Sequence, residues 1–231
     1  MRSKQLVSSD YDDAVQSYDN VRFGSPGGRY ADQVEKDLLS RIVKGKTALE
    51  IGTATGRFAV TLLRMGYEYI GIDLSLAMLQ VTSQRTSFAK ERTHLVQMDA
   101  EQMSFRRPFD NVICIRTFHF LPNPSLALEN FRNALKPEGR CLVTFETDNP
   151  LRRFALMLHL GRSRQRYYKR KDVEGLFHSN GLRVLGAGPV LRIPVTAYRR
   201  CPAKLLGVLR GLEHLWPWPT HEYVFGETIG P

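Results

Sequence analysis

The stretch ALEIGTATGRFA, residues 48–59, decides the fold of this chain. The short apolar run at 47–51 predicts a buried strand, and a helical pattern begins a few residues later. An acid, Glu50, stands near the end of this strand. The turn contains three small residues, Gly52, Ala54 and Gly56. Because small residues let a turn backbone and a helix start come close to a polar ligand, this segment predicts a strand, a ligand-binding turn and a helix.

Strand-like and helix-like segments alternate on the C-terminal side of this unit. Further strands are predicted at 67–73, 93–99, 111–117, 140–146, 182–188 and 222–229. Such alternation is typical of a mainly parallel sheet with helices on both faces. We therefore expect an α/β, doubly wound fold.

A chain of 231 residues with 42% hydrophobic content is long enough for one core, and we expect a single domain over 1–231. Residues 1–28 are expected to form an N-terminal cap, with Gly24, Gly27 and Gly28 as its hinge. A helix capped by Ser25 is predicted from about 26 to 43. Two less regular segments, 149–170 and 189–220, are expected to be insertions near the substrate, the second with one helix at about 202–215.

The net charge of +10 lies mostly in the last third of the chain. Residues 1–150 hold 19 basic and 18 acidic side chains, whereas 151–231 hold 14 and 5. An apolar run at 154–160 is followed by a basic stretch at 162–171, which suggests an anionic membrane surface as a partner. A core segment followed by a solvated face is the plainer interpretation. Without a membrane-spanning run or a signal-peptide pattern, the expected location is cytoplasmic, with peripheral membrane contact as an option.

The spacing of the turn differs from the dinucleotide-binding fingerprint GxGxxG. Its small residues recur at every second position, with Glu50 two residues before the first of them. This pattern resembles ExGxGxG, the first motif of class I S-adenosylmethionine (SAM)-dependent methyltransferases, with Ala54 where that family usually has glycine. The resemblance implies that the acid and the loop surround the methionyl end of SAM.

Later segments match the same family in order and distance. Asp73 ends the second predicted strand, where a carboxylate accepts hydrogen bonds from ribose hydroxyls. Asp99 and Ala100 follow the third strand, where the family binds the adenine edge. The segments FDNVICIRTFHFLPNP and LKPEGR are similar to family counterparts too. The resemblance covers about residues 45–145 and implies a Rossmann-like, seven-stranded sheet whose last strand is antiparallel.

Within the superfamily the chain looks most like the methyltransferase type 11 group, which includes ubiquinone and menaquinone biosynthesis methyltransferases. The N-terminal run YDDAVQSYDNVRFGSPGGRY is similar to the cap that closes over the cofactor in that group. The cofactor-binding residues expected on this basis are Glu50, Gly52, Thr53, Ala54, Gly56, Asp73, Leu74, Asp99, Ala100, Arg116, Tyr18 and Arg29.

His119 is a weak candidate for a general base, since a histidine titrates near neutral pH. A capping or packing role is the plainer interpretation of this residue, just as Glu50 and Asp73 have a plainer interpretation as surface caps. The sequence shows no metal-ligand cluster, and a sulfonium methyl donor needs neither a metal nor a covalent nucleophile.

The acceptor is predicted from the segments that depart from the common core. They are rich in Tyr, Trp and Phe interleaved with Arg, which favours a small-molecule acceptor of aromatic or lipid-like, quinone-type chemistry. Two alternatives stay open. One is an RNA methyltransferase that uses the basic C-terminal third, although no separate nucleic-acid-binding module is recognisable. The other is a non-catalytic protein that only binds SAM.

Overall fold

The computed structural model describes residues 4–105, 108–157 and 166–229 of the chain. Within these ranges lies one seven-stranded sheet of strand order β3-β2-β1-β4-β5-β7-β6. Its strands are β1 (Thr47–Ile51), β2 (Glu68–Asp73), β3 (Thr93–Gln97), β4 (Phe109–Cys114), β5 (Leu135–Glu146), β6 (Leu182–Leu191) and β7 (His221–Thr228). The neighbours from β3 to β5 pair in parallel, whereas β7 is antiparallel to both β5 and β6. The predicted fold class is confirmed.

Helices cover both faces of the sheet. They are α1 (Lys4–Ala14), α2 (Tyr18–Phe23), α3 (Pro26–Ile42), α4 (Arg57–Arg64), α5 (Leu76–Arg85), α6 (Pro124–Ala134), α7 (Pro150–Met157), α8 (Arg170–Ser179), α9 (Val195–Arg200) and α10 (Leu206–Leu212). β1 lies between β2 and β4, so the chain runs outward from β1 in one direction and later returns to its other side. In sheets of this kind, ligands bind at the carboxyl ends of the strands where the direction changes.

The core consists of two apolar clusters, one on each face of the sheet. Leu49 and Val112 belong to one cluster, and Ala48 and Ile113 belong to the other. Every residue of β1 is buried, which explains why this strand appears in the sequence as a short apolar run without alternation. Glu50 is the one ionisable residue of β1, and its carboxyl lies inside a fully buried strand.

Several predicted features differ from the structure. The fourth strand is Phe109–Cys114 and not 111–117. The fifth strand begins at Leu135 and not at 140, and the Pro-Glu-Gly segment 137–139 lies inside it as an irregularity, because the register with β4 shifts there and Glu138 adopts φ 60°. The third strand ends at Gln97, two residues earlier than predicted. The helix predicted at 202–215 is a short α10 between 3-10 turns at 203–205 and 213–215. The helix α9 was not predicted, since prolines at 194 and 202 bracket it and its first residues are β-branched.

The junction between the N-terminal residues and the core lies inside a helix, where a hinge was expected. The Ser25 hydroxyl accepts a hydrogen bond from the Gly28 amide at 3.1 Å, so the prediction that Ser25 caps the start of α3 is confirmed. Gly27 and Gly28 are buried within α3, and the hinge role assigned to them is wrong. A Cβ on Gly27 would lie 1.9 Å from the Tyr198 carbonyl oxygen. Glycine at this position therefore lets α3 pack closely against α9.

Part of the first substrate-side insertion, residues 158–165, lies outside the described residues. The end of the apolar run at 154–160 and the start of the basic stretch at 162–171 fall in this part. Among the helices in the described ranges, none is both long and apolar enough to cross a membrane. The cellular location stays a prediction.

Candidate active site

A cleft opens at the carboxyl ends of β1, β2, β3 and β4, where the topology predicts a ligand site. It encloses about 1000 Å³ when the space at its open mouth is included. Nine of the residues predicted to bind the cofactor line this cleft: Glu50, Gly52, Ala54, Asp73, Leu74, Asp99, Ala100, Arg116 and Tyr18. Positions far apart in sequence are thus brought to one cavity.

The loop between β1 and α4 is held against the end of β2. The amides of Gly52 and Thr53 both donate to the Ile72 carbonyl oxygen, at 2.8 and 3.1 Å. The Ala54 amide donates to Asp73 Oδ2 at 2.8 Å. These amides therefore donate to groups of the protein itself. What the loop offers a ligand is close contact with its small residues, Gly52 and Ala54. Thr53 and Gly56 lie behind the residues that line the cavity.

Glu50 is a buried carboxyl at the floor of the cleft. Its exposed fraction is 2%, and it accepts hydrogen bonds from Tyr69 Oη at 2.6 Å and Thr53 Oγ1 at 3.3 Å. Burial raises the pKa of Glu50 to about 8, although the Tyr69 hydrogen bond works in the opposite direction. A cationic ligand group beside this carboxyl would favour its ionised form. The floor of the cleft is thus suited to a positively charged group.

Asp73 presents a carboxylate that two backbone amides hold in place. Oδ1 accepts from the Ser75 amide at 2.9 Å, and Oδ2 accepts from the Ala54 amide at 2.8 Å. Burial raises the pKa of Asp73, and these backbone hydrogen bonds oppose the rise. Because each carboxylate oxygen can accept two hydrogen bonds, both keep capacity for the hydroxyl groups of a ligand.

An apolar slot continues from Asp73 toward β3 and β4. It is lined by Ile72, Leu74, Met98, Ala100 and Leu121. Asp99 stands at its edge, and its Oδ1 accepts a hydrogen bond from the Glu101 amide at 3.0 Å. Such a slot suits a flat ring with polar edges.

These features together fit SAM. Glu50 is a buried carboxyl without an ion-pair partner among the described residues, and it would accept the cationic amino group of SAM. Asp73 is held by two backbone amides, and its carboxylate would accept hydrogen bonds from the ribose hydroxyls. The apolar slot with an acid at its edge fits adenine. Each element of this fit comes from a residue that lines the same cleft.

A buried ion-pair cluster beside the cleft was missed by the sequence reasoning. Glu35 of α3 is 1% exposed and pairs with Arg116 Nε and with Arg57 Nη2, and Arg57 also pairs with Asp32. Burial would raise the pKa of Glu35, but Arg116 and then Arg57 outweigh it, so the pKa is lowered. The available signal was an acid on the inward face of α3, four residues after Ala31, which needs a cationic partner.

The cluster supplies two guanidinium groups to the lining of the cleft, those of Arg57 and Arg116. Arg116 adopts φ 57°, in the left-handed region that is uncommon for residues other than glycine. Its Nη2 is buried and has no hydrogen-bond partner among the described residues, although Arg116 and Arg57 both line the cavity. An anionic ligand group would satisfy this nitrogen.

Two predicted site residues lie elsewhere. Arg29 is exposed, outside the described lining of the cleft, and its guanidinium donates to the Gly24 carbonyl oxygen. His119 is buried behind the cavity wall, with its ring centroid 4.3 Å from that of Phe120, which does line the cleft. Burial and then His221 lower the pKa of His119 well below its usual range. The imidazole is therefore neutral and a weak proton acceptor.

The N-terminal residues close one side of the cleft. Ser8, Tyr11 and Tyr18 line it, and the Tyr11 ring contacts the rings of Tyr18 and Phe120 at centroid distances of 5.9 and 6.1 Å. The Ser8 hydroxyl donates to the Leu74 carbonyl oxygen at 3.0 Å. The segment is thus attached to the residue that directly follows Asp73, the residue predicted to bind the ribose.

Residues 49–143, which supply most of the cleft, match the family model of the methyltransferase domain. Over this range the chain is similar to methyltransferase domains. The resemblance identified from the sequence motifs is thereby confirmed, and SAM is supported as the cofactor.

Curated relatives are similar to about half of the chain. YqeM of Bacillus subtilis is 31% identical over 126 residues, which are 53% of this chain and 49% of that protein. The ubiquinone biosynthesis O-methyltransferase of Alkalilimnicola ehrlichii is 28% identical over 110 residues, 47% of this chain and 44% of that protein. The chain thus spans about half the length of the curated relatives that it matches.

Solved structures resemble the whole chain. The cyclase SpnF has a TM-score of 0.74 at 16% identity, with 99% of this chain and 97% of SpnF covered. Magnesium protoporphyrin IX methyltransferase from Synechocystis PCC 6803 with bound S-adenosylhomocysteine (SAH) has a TM-score of 0.70 at 13% identity, with 98% and 100% covered. At these identities the likeness establishes the fold alone.

Proposed function

We propose that this chain is a SAM-dependent methyltransferase whose acceptor is a small molecule of aromatic or lipid-like, quinone-type chemistry. The observation that carries the proposal is the convergence of Glu50 and Asp73, the acids at the ends of β1 and β2, on one cleft. When bound, SAM supplies an electrophilic methyl group on a sulfonium. The similarity to ubiquinone biosynthesis O-methyltransferases at 28% identity supports a small-molecule acceptor.

The chain's own contribution to the reaction is orientation and exclusion of water. Asp73, held by two backbone amides, fixes one end of the cofactor, and Glu50 accepts its cationic end. The aromatic rings of Tyr11, Tyr18 and Phe120 close one side of the cleft and would exclude water from it. Aligning two reactants in a dry site lowers the barrier without a covalent step. We assign no general base, because His119 lies behind the wall with a lowered pKa.

The wall formed by residues 116–122, which we assign to the acceptor, combines aromatic and apolar surfaces with the guanidinium of Arg116. Phe120, Leu121 and Pro122 offer apolar surface, and the unpartnered Nη2 of Arg116 offers a donor for a phenolate, carboxylate or carbonyl oxygen. An oxygenated aromatic ring or an amphipathic lipid matches this combination. A polynucleotide would need a longer basic track at the cleft.

The test supplies the purified protein with SAM carrying a tritiated methyl group and an extract of the source cells. The extract is divided into organic-soluble small molecules, water-soluble small molecules and RNA. The expected result is label in the organic-soluble fraction, lost in Asp73→Ala. Label confined to RNA would instead establish the nucleic-acid alternative. SAH binding without label in any fraction would contradict catalysis and favour a SAM-binding protein.

A further inference from the structure

The helical segment 203–215 carries an exposed apolar stripe. The stripe consists of Leu205, Val208, Leu212 and Leu215, whose side chains are 49%, 60%, 51% and 66% exposed. Successive members of the stripe are three, four and three residues apart, a spacing that keeps side chains on one side of both the α-helical turns and the flanking 3-10 turns of the segment. Scattered exposed leucines are ordinary on protein surfaces, whereas an aligned set of four on one helical face is typical of a docking surface.

The orientation of this segment is fixed by contacts on its opposite face. Leu206 and Leu209 pack against the core cluster. The Glu213 carboxylate accepts hydrogen bonds from Tyr30 Oη at 3.1 Å and from the Arg192 amide at 3.0 Å. The segment cannot rotate its stripe inward without losing these contacts, so the stripe faces outward as part of the folded structure.

The stripe has a basic and aromatic border. The segment 199–218 contains Arg199, Arg200, Lys204 and Arg210 against a single acid, Glu213, which gives it a net charge of +3. Arg200 and Lys204 are exposed beside the stripe, whereas the guanidinium of Arg210 lies over the Tyr30 ring on the side of the segment that faces the core. Trp218 is 43% exposed and lies three residues after Leu215, the last residue of the stripe. Tryptophan and basic residues around an apolar surface are the composition that favours the headgroup region of a bilayer.

A second apolar surface is attached at the same end of the sheet. Phe154 and Met157 of α7 are 55% and 65% exposed. Asn149, directly before α7, donates from Nδ2 to the Pro219 carbonyl oxygen at 3.1 Å, next to Trp218. Helix α7 is therefore connected to the turn that ends the stripe.

We propose that the stripe and its basic border dock the protein on the surface of an anionic phospholipid bilayer. The leucine and valine side chains enter the boundary between headgroups and acyl chains, and the basic side chains contact lipid phosphates. A second copy of the chain is disfavoured, since it would bring two segments of charge +3 together. RNA is disfavoured because the aliphatic side chains of the stripe provide no stacking surface for bases. This docking does not depend on methyl transfer.

The experiment measures sedimentation of the full chain with two kinds of vesicle. One is pure phosphatidylcholine, and the other is an equal mixture of phosphatidylcholine and phosphatidylglycerol. The variants are Leu212→Glu, in the stripe, and Phe88→Glu as a matched control. Phe88 is 54% exposed and lies in the 3-10 turn before β3, the edge strand farthest along the sheet from β6. Thermal unfolding of each variant checks that the fold is retained.

We expect the unchanged chain and Phe88→Glu to bind the anionic vesicles equally, and Leu212→Glu to bind them roughly tenfold more weakly. Neutral vesicles should retain little of any protein. Failure of the unchanged chain to bind anionic vesicles would overturn the proposal, as would equal losses in the two variants. If Leu212→Glu instead converted a dimer to a monomer in sedimentation velocity while vesicles retained nothing, the occupant would be a second copy and the membrane proposal would be wrong.

Discussion

At the scale of single residues, the cleft depends on acids whose burial is only partly compensated. Glu50 is the clearest case, because its hydrogen-bond partners are two hydroxyls and Arg57, the cation that favours its ionised form, is engaged with Asp32 and Glu35. Its presence in the first strand is not favourable for folding alone. A carboxyl retained at this cost is a candidate for ligand binding.

Glu50→Gln should stabilise the ligand-free protein at alkaline pH. The folded-state pKa of Glu50 is about 8, above its ordinary value of 4.5. The stability contributed by the neutral carboxyl is therefore present below pH 4.5 and lost as pH rises to 8, and the loss at full ionisation is on the order of a few kcal/mol. Glutamine imitates the neutral form and avoids this loss.

Urea unfolding at pH 5 and at pH 8 measures the effect. The gain of Glu50→Gln over the unchanged chain should be small at pH 5 and large at pH 8. Glu129→Gln, at an exposed position of α6, serves as the control and should show no such difference. A gain that is equal at both pH values would mean that Glu50 does not titrate in this range.

At the scale of elements, the loop between β1 and α4 holds an alanine in a conformation that favours glycine. Ala54 adopts φ 47°, a left-handed conformation that costs an L-residue about 1 to 2 kcal/mol. The glycine usual in the family motif would avoid this cost. The loop keeps its path because the Ala54 amide is bonded to Asp73 and its carbonyl oxygen accepts from Thr82 Oγ1 at 2.7 Å.

Ala54→Gly should therefore leave the stability unchanged or raise it by up to about 1 kcal/mol, since relief of the left-handed strain offsets the added chain entropy. Ala59→Gly, a buried position inside α4, is the matched control and should lose at least about 1 kcal/mol. Chemical denaturation of both variants measures the difference. Equal destabilisation would show that the loop does not hold Ala54 in this conformation.

The sequence predicted those features that follow from local patterns. The strands β1 to β5, the Ser25 cap and the acids at the ends of β1 and β2 could be predicted, because apolar runs and turn residues mark them within a few positions. The pairing of Glu35 with Arg116 and Arg57 joins residues 81 and 22 positions apart, and no local pattern marks it. The same holds for Arg29, whose exposure depends on how α2 meets α3.

At the scale of the whole molecule, the N-terminal helices are attached to the cofactor side of the sheet by polar contacts. Thr55 Oγ1 donates to Asp19 Oδ1 at 2.7 Å, and Arg85 of α5 forms an ion pair with Asp19. Ser8 is bonded to the Leu74 carbonyl oxygen. Polar contacts of this kind hold a segment more weakly than a buried apolar face, so the segment is expected to open and close locally.

Binding of SAH should slow amide exchange in residues 8–24, because Tyr11 and Tyr18 line the same cleft as the ends of β1 and β2 and would contact a ligand bound there. Hydrogen exchange with and without SAH is the measurement. The core strand β4 serves as an internal reference, and its protection should change little. Equal exchange of residues 8–24 in both states would contradict coupling between the cap and the cofactor.

The central claim is that the cleft binds SAM with Asp73 as the ribose ligand, and calorimetry of SAH binding tests it most directly. Asp73→Ala removes a charged acceptor worth about 1.5 to 3 kcal/mol, which corresponds to a loss of affinity of roughly 10- to 150-fold. Thr82→Val removes a hydrogen bond to the same loop without touching the cleft and controls for loop damage. The account predicts a loss in this range for Asp73→Ala and a much smaller one for Thr82→Val. Unchanged SAH affinity in Asp73→Ala would contradict it.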